Sequence, residues 1–144
     1  MKKSRCFSLA MALILAFSLC TGIAMAVEPR ASATLSSYSV TVKKGTSDGT
    51  IKFTCDVCAN SIAESLGTSK IDIYKGNGEY VTTITGTTDN GLIGSDNGRF
   101  VGFYTYQGTA GTSYYGVATI FATIKGVSDE RTVTSNTVTA PRIK

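Results

Sequence analysis

Apolar and polar residues alternate in short runs along most of the chain after residue 34. The clearest run covers residues 50–57, where one side carries Ile51, Phe53, Cys55 and Val57 and the other carries Lys52, Thr54 and Asp56. A period of two residues is typical of a β-strand with one buried face. The same alternation, in segments rich in Thr, Val, Ile, Tyr and Phe, predicts seven strands at 35–43, 50–57, 70–74, 79–85, 99–107, 113–125 and 130–139.

The segments between the predicted strands are rich in Gly, Asn, Asp and Ser, which favour turns. Asn77 and Gly78 form the dipeptide preferred in a tight hairpin turn, because both of its positions need a positive φ angle. Residues 60–66 do not follow the strand pattern, and Ser61 and Glu64 within them have the spacing of a helix capping box. We expect a single helical turn there, which crosses from one strand to the next.

Seven short alternating strands without a long helix predict an all-β fold, an antiparallel seven-stranded β-sandwich. A buried parallel sheet would instead show continuous apolar runs separated by helices, and the chain has neither. The length after residue 26 suits one domain with an ordinary core, and we place this domain at residues 35–144.

The first 26 residues have the layout of a secretory signal peptide. A basic start is followed by an uncharged apolar run at 6–23, and residues 24–26 (Ala-Met-Ala) form a small-x-small cleavage site. We therefore expect cleavage after about Ala26, secretion, and a flexible lead at 27–34. Two alternatives are a retained membrane anchor and lipid attachment at Cys20, although Leu19 stands where such lipid sites have a small residue.

Removal of the signal peptide changes the charge of the protein. The chain has 14 basic and 10 acidic residues, and three of the basic ones, Lys2, Lys3 and Arg5, precede residue 27, which leaves a net charge of +1. Binding to nucleic acid needs clustered cations that displace counterions. The longest basic run that remains is Lys43 and Lys44, so the sequence predicts no nucleic-acid partner and no membrane span in the mature chain.

Cys55 and Cys58 are the two cysteines that follow the signal peptide, and the chain has no histidine. A structural zinc site needs four nitrogen or sulfur ligands, which two cysteines cannot supply. A redox pair needs its first cysteine at a helix N-terminus, whereas Cys55 ends a predicted strand beside Asp56. We expect a local disulfide between the two, with a bend in the chain because residues three apart in a strand lie about 10 Å apart. Two free thiols are the alternative.

The sequence predicts that the protein is not an enzyme and that it binds no cofactor or metal. Serine and cysteine nucleophiles lack a histidine base, and no pair of acids lies on one apolar strand face. The tripeptide Asp-Asn-Gly occurs at 89–91 and again at 96–98. Oxygen-rich loops can bind calcium, but this spacing matches no EF-hand loop, and the tripeptide is first of all a turn sequence.

Aromatic residues concentrate in the predicted strand at 99–107. Phe100, Tyr104 and Tyr106 share one face of it, and Val101 and Phe103 share the other. Only one face can contribute to the core. If the tyrosines face outward, they form a platform for a glycan or a protein partner, since tyrosine is flat and has a polar end. If they face inward, the strand has no such role.

Tyr114 begins a strand with small and apolar residues in alternation: Gly116, Ala118, Ile120, Ala122 and Ile124. This pattern resembles the sixth strand of fibronectin type III and immunoglobulin-like sandwiches. The resemblance implies a tyrosine corner, in which Tyr114, or Tyr115 if the register differs by one, forms a hydrogen bond with the backbone upstream. The chain departs from these families because it has no tryptophan and no cysteine pair across the sheets.

The mature chain also resembles small secreted proteins of unknown function from Gram-positive bacteria. The resemblance rests on the signal peptide, the Arg-Ala-Ser lead at 30–32, and the segment YQGTAGTSY at 106–114 before the penultimate strand. It implies a location and a fold, and it implies no activity.

These observations together predict a secreted, non-catalytic β-sandwich module that binds a partner or has a structural role at or near the bacterial cell surface. One alternative is a carbohydrate-binding module, which would show exposed coplanar tyrosine rings. A module that binds a protein would show an exposed strand edge or an apolar loop instead. An enzyme, the least expected alternative, would show a pocket with converging titratable groups.

Overall fold

Every regular element in residues 31–143, the range that the computed structural model describes, is a β-strand. The signal peptide predicted at 1–26 and the first part of the predicted lead lie outside this range. There are nine strands: β1 (Leu35–Lys44), β2 (Thr50–Ala63), β3 (Ser65–Lys75), β4 (Tyr80–Thr85), β5 (Ile93–Gly94), β6 (Asn97–Gln107), β7 (Ser113–Ile124), β8 (Val127–Thr134) and β9 (Val138–Thr139).

The strands form two antiparallel sheets. The smaller sheet has the order β1-β2-β6, and the larger sheet has the order β4-β3-β7-β8, with β5 paired to β3 and β9 paired to β7. The predicted all-β antiparallel fold is confirmed. The structure has nine strands where the sequence predicted seven. Two of them, β5 and β9, are only two residues long, which is too short to give an alternating pattern.

The core lies between the two sheets. The fully buried side chains of largest volume include Phe53, Ile51, Leu66, Ile71, Ile73, Leu92 and Ile120. Burial of each such side chain contributes about 1.5–3 kcal/mol. Small residues on β7 lie opposite the large ones: a Cβ atom at Gly116 would be 2.5 Å from the ring of Phe53. The small and apolar alternation on β7 therefore makes room for the aromatic and aliphatic residues of β2 and β3.

The helical turn predicted at 60–66 is wrong. β2 continues to Ala63 and β3 begins at Ser65, so the chain passes from one sheet to the other through Glu64. Ala63 pairs with β6, Ser65 pairs with β7, and the Glu64 amide donates to the Thr123 carbonyl at 2.9 Å. The backbone groups of this segment form hydrogen bonds with neighbouring strands. Ser61 and Glu64 have the spacing of a capping box, but no helix follows them.

The described part of the predicted lead is hydrogen-bonded to its surroundings. The Ser32 hydroxyl accepts hydrogen bonds from the amides of Thr34 and Leu35. Asn60 donates from its side chain to two carbonyls of the lead and from its amide to the Thr34 carbonyl. Residues 32–34 thereby lie against the end of β2. Within residues 31–143 no helix is long and apolar enough to cross a membrane.

Candidate binding surfaces

Cys55 and Cys58 are free thiols, so the predicted disulfide is wrong. The prediction required a bend between them. Instead β2 stays extended through both residues, with Cys55 opposite Val40 and Cys58 opposite Ser37 on β1. Residues three apart in a strand point to opposite faces and lie about 10 Å apart, beyond the reach of a disulfide.

The two thiols occupy different environments. Cys55 is buried in the core, whereas Cys58 lies half-buried on the outer face of the smaller sheet. Burial raises the pKa of the Cys55 thiol. Cys55 is therefore protonated at neutral pH and packs as a small apolar side chain.

Of the two alternatives for Phe100, Tyr104 and Tyr106, the structure shows the inward one, so these residues form no exposed platform. The β2–β6 ladder places these residues opposite Val57, Phe53 and Ile51, which are core residues, and all three aromatic side chains pack against the core. The ring of Tyr106 contacts that of buried Tyr114 edge-on, at a centroid distance of 5.7 Å. Pairing with β2 therefore decides which face of β6 is buried.

The opposite face of β6 is exposed to solvent and carries two apolar side chains among polar ones. Phe103 is 50% exposed and Val101 is 36% exposed. The Lys52 ammonium lies over the Phe103 ring, 4.3 Å from its centroid, and Arg99 forms a two-pronged ion pair with Asp56 at 2.6 and 3.0 Å. We call this surface, formed by Lys52, Arg99, Val101, Phe103 and Thr105, the β6 patch.

The β6 patch adjoins an open sheet edge. The Gly108 amide donates to the Gly49 carbonyl in the register of the β2–β6 ladder, so the even-numbered residues of β6 direct their backbone groups to β2. Amide and carbonyl groups of alternate residues point to opposite edges of a strand. Hence the odd-numbered residues of β6 direct their backbone amide and carbonyl groups to the free edge. The side chains of the same residues face outward from the sheet.

No other strand occupies that edge in the described part of the chain. Backbone–backbone hydrogen bonds outside the strand ladders do not reach residues 97–107 there. The Arg99 amide has a 3.4 Å contact with the Asn97 side chain. Gly91 of the first Asp-Asn-Gly tripeptide lies beside β6: its carbonyl oxygen would be 2.9 Å from a Cβ atom at Gly102, and a Cβ atom at Gly91 would be 3.9 Å from the Phe103 carbonyl oxygen. β6 is thus an unpaired edge strand of 11 residues.

Two other edge strands of the described chain, β1 and β8, carry groups that hinder pairing. On β1, the Asn136 side chain accepts a hydrogen bond from the Val42 amide at 2.8 Å and donates to the Val42 carbonyl at 2.9 Å, so it occupies the place of a neighbouring strand. On β8, Asp129, Glu130 and Arg131 are consecutive charged residues. Charged residues and caps of this kind keep edge strands from pairing with other chains.

Three tyrosines form a row on the outer face of the larger sheet, which the sequence analysis did not predict. Tyr74 stacks on Tyr115 at 5.3 Å between centroids and meets Tyr80 edge-on at 5.7 Å. The Tyr80 hydroxyl is hydrogen-bonded to the Thr83 hydroxyl. Thr83 donates a hydrogen bond to Asp72, and Lys70 donates another to the same carboxylate. Tyr74 and Tyr115 meet only because the register of β3 with β7 places them opposite each other.

Tyr114 lies at the start of β7 with its ring buried, and Tyr115 faces outward. The Tyr114 hydroxyl accepts a hydrogen bond from the Thr109 amide at 2.9 Å. The resemblance to immunoglobulin-like sandwiches implied a tyrosine corner at this residue, and the geometry gives Tyr114 a backbone contact five residues upstream.

Four acidic side chains of the described chain, Asp56, Asp72, Glu79 and Asp129, form ion pairs at the surface. A hydrogen bond from Arg99 lowers the pKa of Asp56, and a hydrogen bond from Thr83, followed by one from Lys70, lowers the pKa of Asp72. A depression of about 470 Å³ at the end of the larger sheet is lined by Lys75, Gly76, Asn77, Thr112, Ser113 and Thr137. Its titratable lining residue, Lys75, is paired with Glu79 at 2.8 Å.

The two Asp-Asn-Gly tripeptides differ in structure. In the first, Asn90 and Thr87 form reciprocal hydrogen bonds that close a turn. In the second, Asp96 has a φ angle of 52° and leads into β6. Among the described residues, no group of three or more acidic or cysteine side chains is placed to hold a metal ion.

Comparison with family models gives no match, and comparison with curated proteins gives none either. Among solved structures, the chain is similar to part of a family 76 glycoside hydrolase from a bovine Bacteroides thetaiotaomicron strain, with 16% identity and a TM-score of 0.38. The similarity covers 71% of this chain and 20% of that chain, so the chain spans about a fifth of the hydrolase. A likeness of this size carries no argument about function.

Proposed function

We propose that this protein is a secreted, non-catalytic module that binds a protein partner at or near the bacterial cell surface. The observation that supports this proposal is the unpaired edge of β6, with its exposed apolar side chains. The mechanism is strand addition, in which an extended segment of the partner pairs with the edge of the smaller sheet.

The β6 edge offers both parts of a strand-addition site. Backbone groups of Val101, Phe103 and Thr105 point to the free edge and provide hydrogen bonds that do not depend on the partner's sequence. The side chains of the same residues face outward, where Phe103 and the Lys52 ammonium above it give selectivity for apolar and aromatic neighbours. A long edge strand with exposed apolar side chains that is left open is otherwise a hazard for aggregation.

The lowered pKa values of three surface acids support a role without catalysis for these groups. A general acid needs a raised pKa, through burial or a neighbouring anion. Asp56, Asp72 and Glu79 instead lie beside cations or hydroxyl donors that lower their pKa values. They therefore act as surface ion-pair partners.

A second candidate function is glycan binding through the tyrosine row. Tyr80 is 55% exposed and adjoins the hydrogen-bonding groups of Thr83, Asp72 and Lys70, a combination that suits a sugar ring. The stacking of Tyr74 on Tyr115 covers a face of each ring, which makes this surface smaller than a coplanar platform.

Binding of the labelled chain 27–144 to intact Gram-positive cells tests both candidates. The cells are used untreated, after surface digestion with protease, and after periodate oxidation of glycans. For a protein partner we expect binding to be lost after protease and in the variant Phe103→Lys, and to persist after periodate. Thr132→Lys, which adds the same charge on the outer face of β8, is the control.

Glycan binding gives the reverse pattern. Binding then persists after protease and is lost after periodate and in Tyr80→Ala. Binding that survives Phe103→Lys and protease contradicts the proposed protein partner. Intact mass of the protein exported from cells that express the full chain tests secretion, with Val27 as the expected first residue.

A further inference from the structure

We infer that the strand accepted by the β6 edge is β6 of a second copy of this chain, in an antiparallel pair around a two-fold axis at Gly102. This inference rests on the proposed strand-addition function and names its partner. The pair would join two three-stranded sheets into one sheet of six strands.

Hydrogen-bonding parity restricts how two β6 edges can pair. Only odd-numbered residues direct their backbone groups outward, so odd residues of one copy must face odd residues of the other. An antiparallel pair around a two-fold axis therefore centres on a whole residue position. β6 runs from residue 97 to residue 107, and its midpoint is Gly102. Centring the pair on Gly102 satisfies the parity and overlaps the full length of both strands.

The side chains match in this register. On the outer face, Val101 of each copy lies opposite Phe103 of the other, which gives two pairs of an aromatic with a β-branched residue, a favourable cross-strand combination. On the inner face, Phe100 lies opposite Tyr104 of the second copy. Both are only partly buried in the single copy, so the added strand would extend the apolar cover at the rim of the core.

Charge favours the same arrangement. Arg99 is the charged residue of β6, and it lies near one end of the strand with Asp56 as its ion-pair partner. In an antiparallel pair the two arginines lie at opposite ends, each facing Thr105 of the other copy. A parallel pair would instead set like charges side by side. The net charge of the mature chain, +1, opposes association weakly.

The two-fold pairing also limits the assembly to two copies. The two-fold contact uses the open edge of β6 in both copies, so it leaves neither β6 edge free for a third copy. The outer edges of the six-stranded sheet would be the two β1 strands, where the Asn136 side chain already occupies the backbone groups of Val42. The inference is therefore a dimer and not an open-ended fibre.

Sedimentation and hydrogen exchange of the chain 27–144 test the inference together. We expect a monomer–dimer equilibrium between about 1 µM and about 1 mM. Amide exchange followed by NMR should show Gly102 and Tyr104 protected at all concentrations. The amides of Val101, Phe103 and Thr105 should exchange rapidly in dilute protein and become at least about tenfold slower as the dimer forms.

Two variants locate the contact. Val101→Pro removes an amide that points only to the free edge, so it spares the β2–β6 ladder and should weaken dimerisation at least about tenfold. Phe103→Lys should do the same, whereas Thr132→Lys should leave it within about twofold. A circular dichroism spectrum like that of the wild type verifies that each variant is folded.

A chain that stays monomeric over the whole range overturns the inference, as does a dimer in which the odd-numbered amides of β6 remain unprotected. If the chain is monomeric but Phe103→Lys still abolishes binding to cells, the proposed function stands and its partner is a different protein. If the dimer forms and cell binding does not depend on β6, the self-pairing stands and the proposed function is wrong.

Discussion

The Tyr114 hydroxyl accepts a hydrogen bond from the backbone amide of Thr109, and the Tyr114 ring closes one end of the core. Gly108 packs on this ring so closely that a Cβ atom there would lie 2.7 Å from it. The contact fixes the loop that joins the smaller sheet at β6 to the larger sheet at β7.

Replacement of Tyr114 by phenylalanine should lower the free energy of unfolding by about 1 kcal/mol, because the Thr109 amide loses its acceptor while the ring stays in place. Urea denaturation followed by far-ultraviolet circular dichroism measures the change. Tyr115→Phe, at the neighbouring outward position, is the control and should change stability by less than about 0.5 kcal/mol. Equal losses in both variants would contradict a specific role for the Tyr114 hydroxyl.

Gly116→Ala should destabilise the fold by about 1–3 kcal/mol, because the added methyl group would meet the Phe53 ring at 2.5 Å and the Ile71 side chain at 3.0 Å. Thermal denaturation measures the loss. Gly98→Ala is the matched control in another strand, since a Cβ atom there has only the Ser61 carbonyl oxygen nearby, at 3.9 Å. If Gly116→Ala is as stable as Gly98→Ala, the packing of β7 against β2 is looser than the structure shows.

The thiols should react separately. In the folded chain 27–144, iodoacetamide should alkylate Cys58, which is half-buried, and spare Cys55 until the protein is unfolded. A reducing agent should leave the melting temperature unchanged because there is no disulfide to break. Mass spectrometry before and after alkylation distinguishes the states. If neither cysteine is alkylated without prior reduction, Cys55 and Cys58 form a disulfide and the free-thiol assignment is wrong.

The pH dependence of stability follows from lowered acid pKa values. In the folded chain the pKa values of Asp56 and Asp72 lie below their ordinary value of 3.8. The stability that these groups contribute is therefore fully present above that value and is lost as the pH falls through the lowered pKa values. The chain has no histidine, so we expect a flat profile between about pH 5 and 8 and a decline below about pH 4.

Melting temperatures measured across that range test this expectation. Asp72→Asn removes one of the lowered groups, and its melting temperature should fall less steeply in acid than that of the wild type. Asp89→Asn replaces an acid in the first Asp-Asn-Gly turn and serves as the control for the loss of one negative charge. A steep change between about pH 5 and 8 would point to a titrating group of another kind.

The fold class could be predicted because alternation is a local property of each strand. The alternation at 50–57, with Phe53 and Cys55 on one side, identifies a half-buried strand without any knowledge of its neighbours. The length of that strand is different, because pairing with β1 extends it to Ala59 and pairing with β6 extends it to Ala63. Because the longer strand includes Cys58 and residues 60–63, neither the predicted bend at Cys58 nor the predicted helical turn is present.

The candidate surfaces could not be predicted because they depend on pairing between distant segments. Both faces of β6 carry apolar residues, and only its register with β2 shows that Tyr104 packs against the core and Phe103 is exposed. The row through Tyr74 and Tyr115 likewise requires the β3–β7 register. An open edge is a property of the topology, and the residues of β6 do not reveal it by themselves.

The hydrogen bonds between Asn136 and Val42 make the first strand depend on the last part of the chain. The two residues are 94 positions apart, so the outer edge of β1 is capped only after the segment that follows β8 has been made and placed. A chain that ends before residue 136 lacks this cap and exposes a strand edge that can pair with other chains. Completeness of the polypeptide and solubility of the folded domain are thereby linked through one side-chain amide.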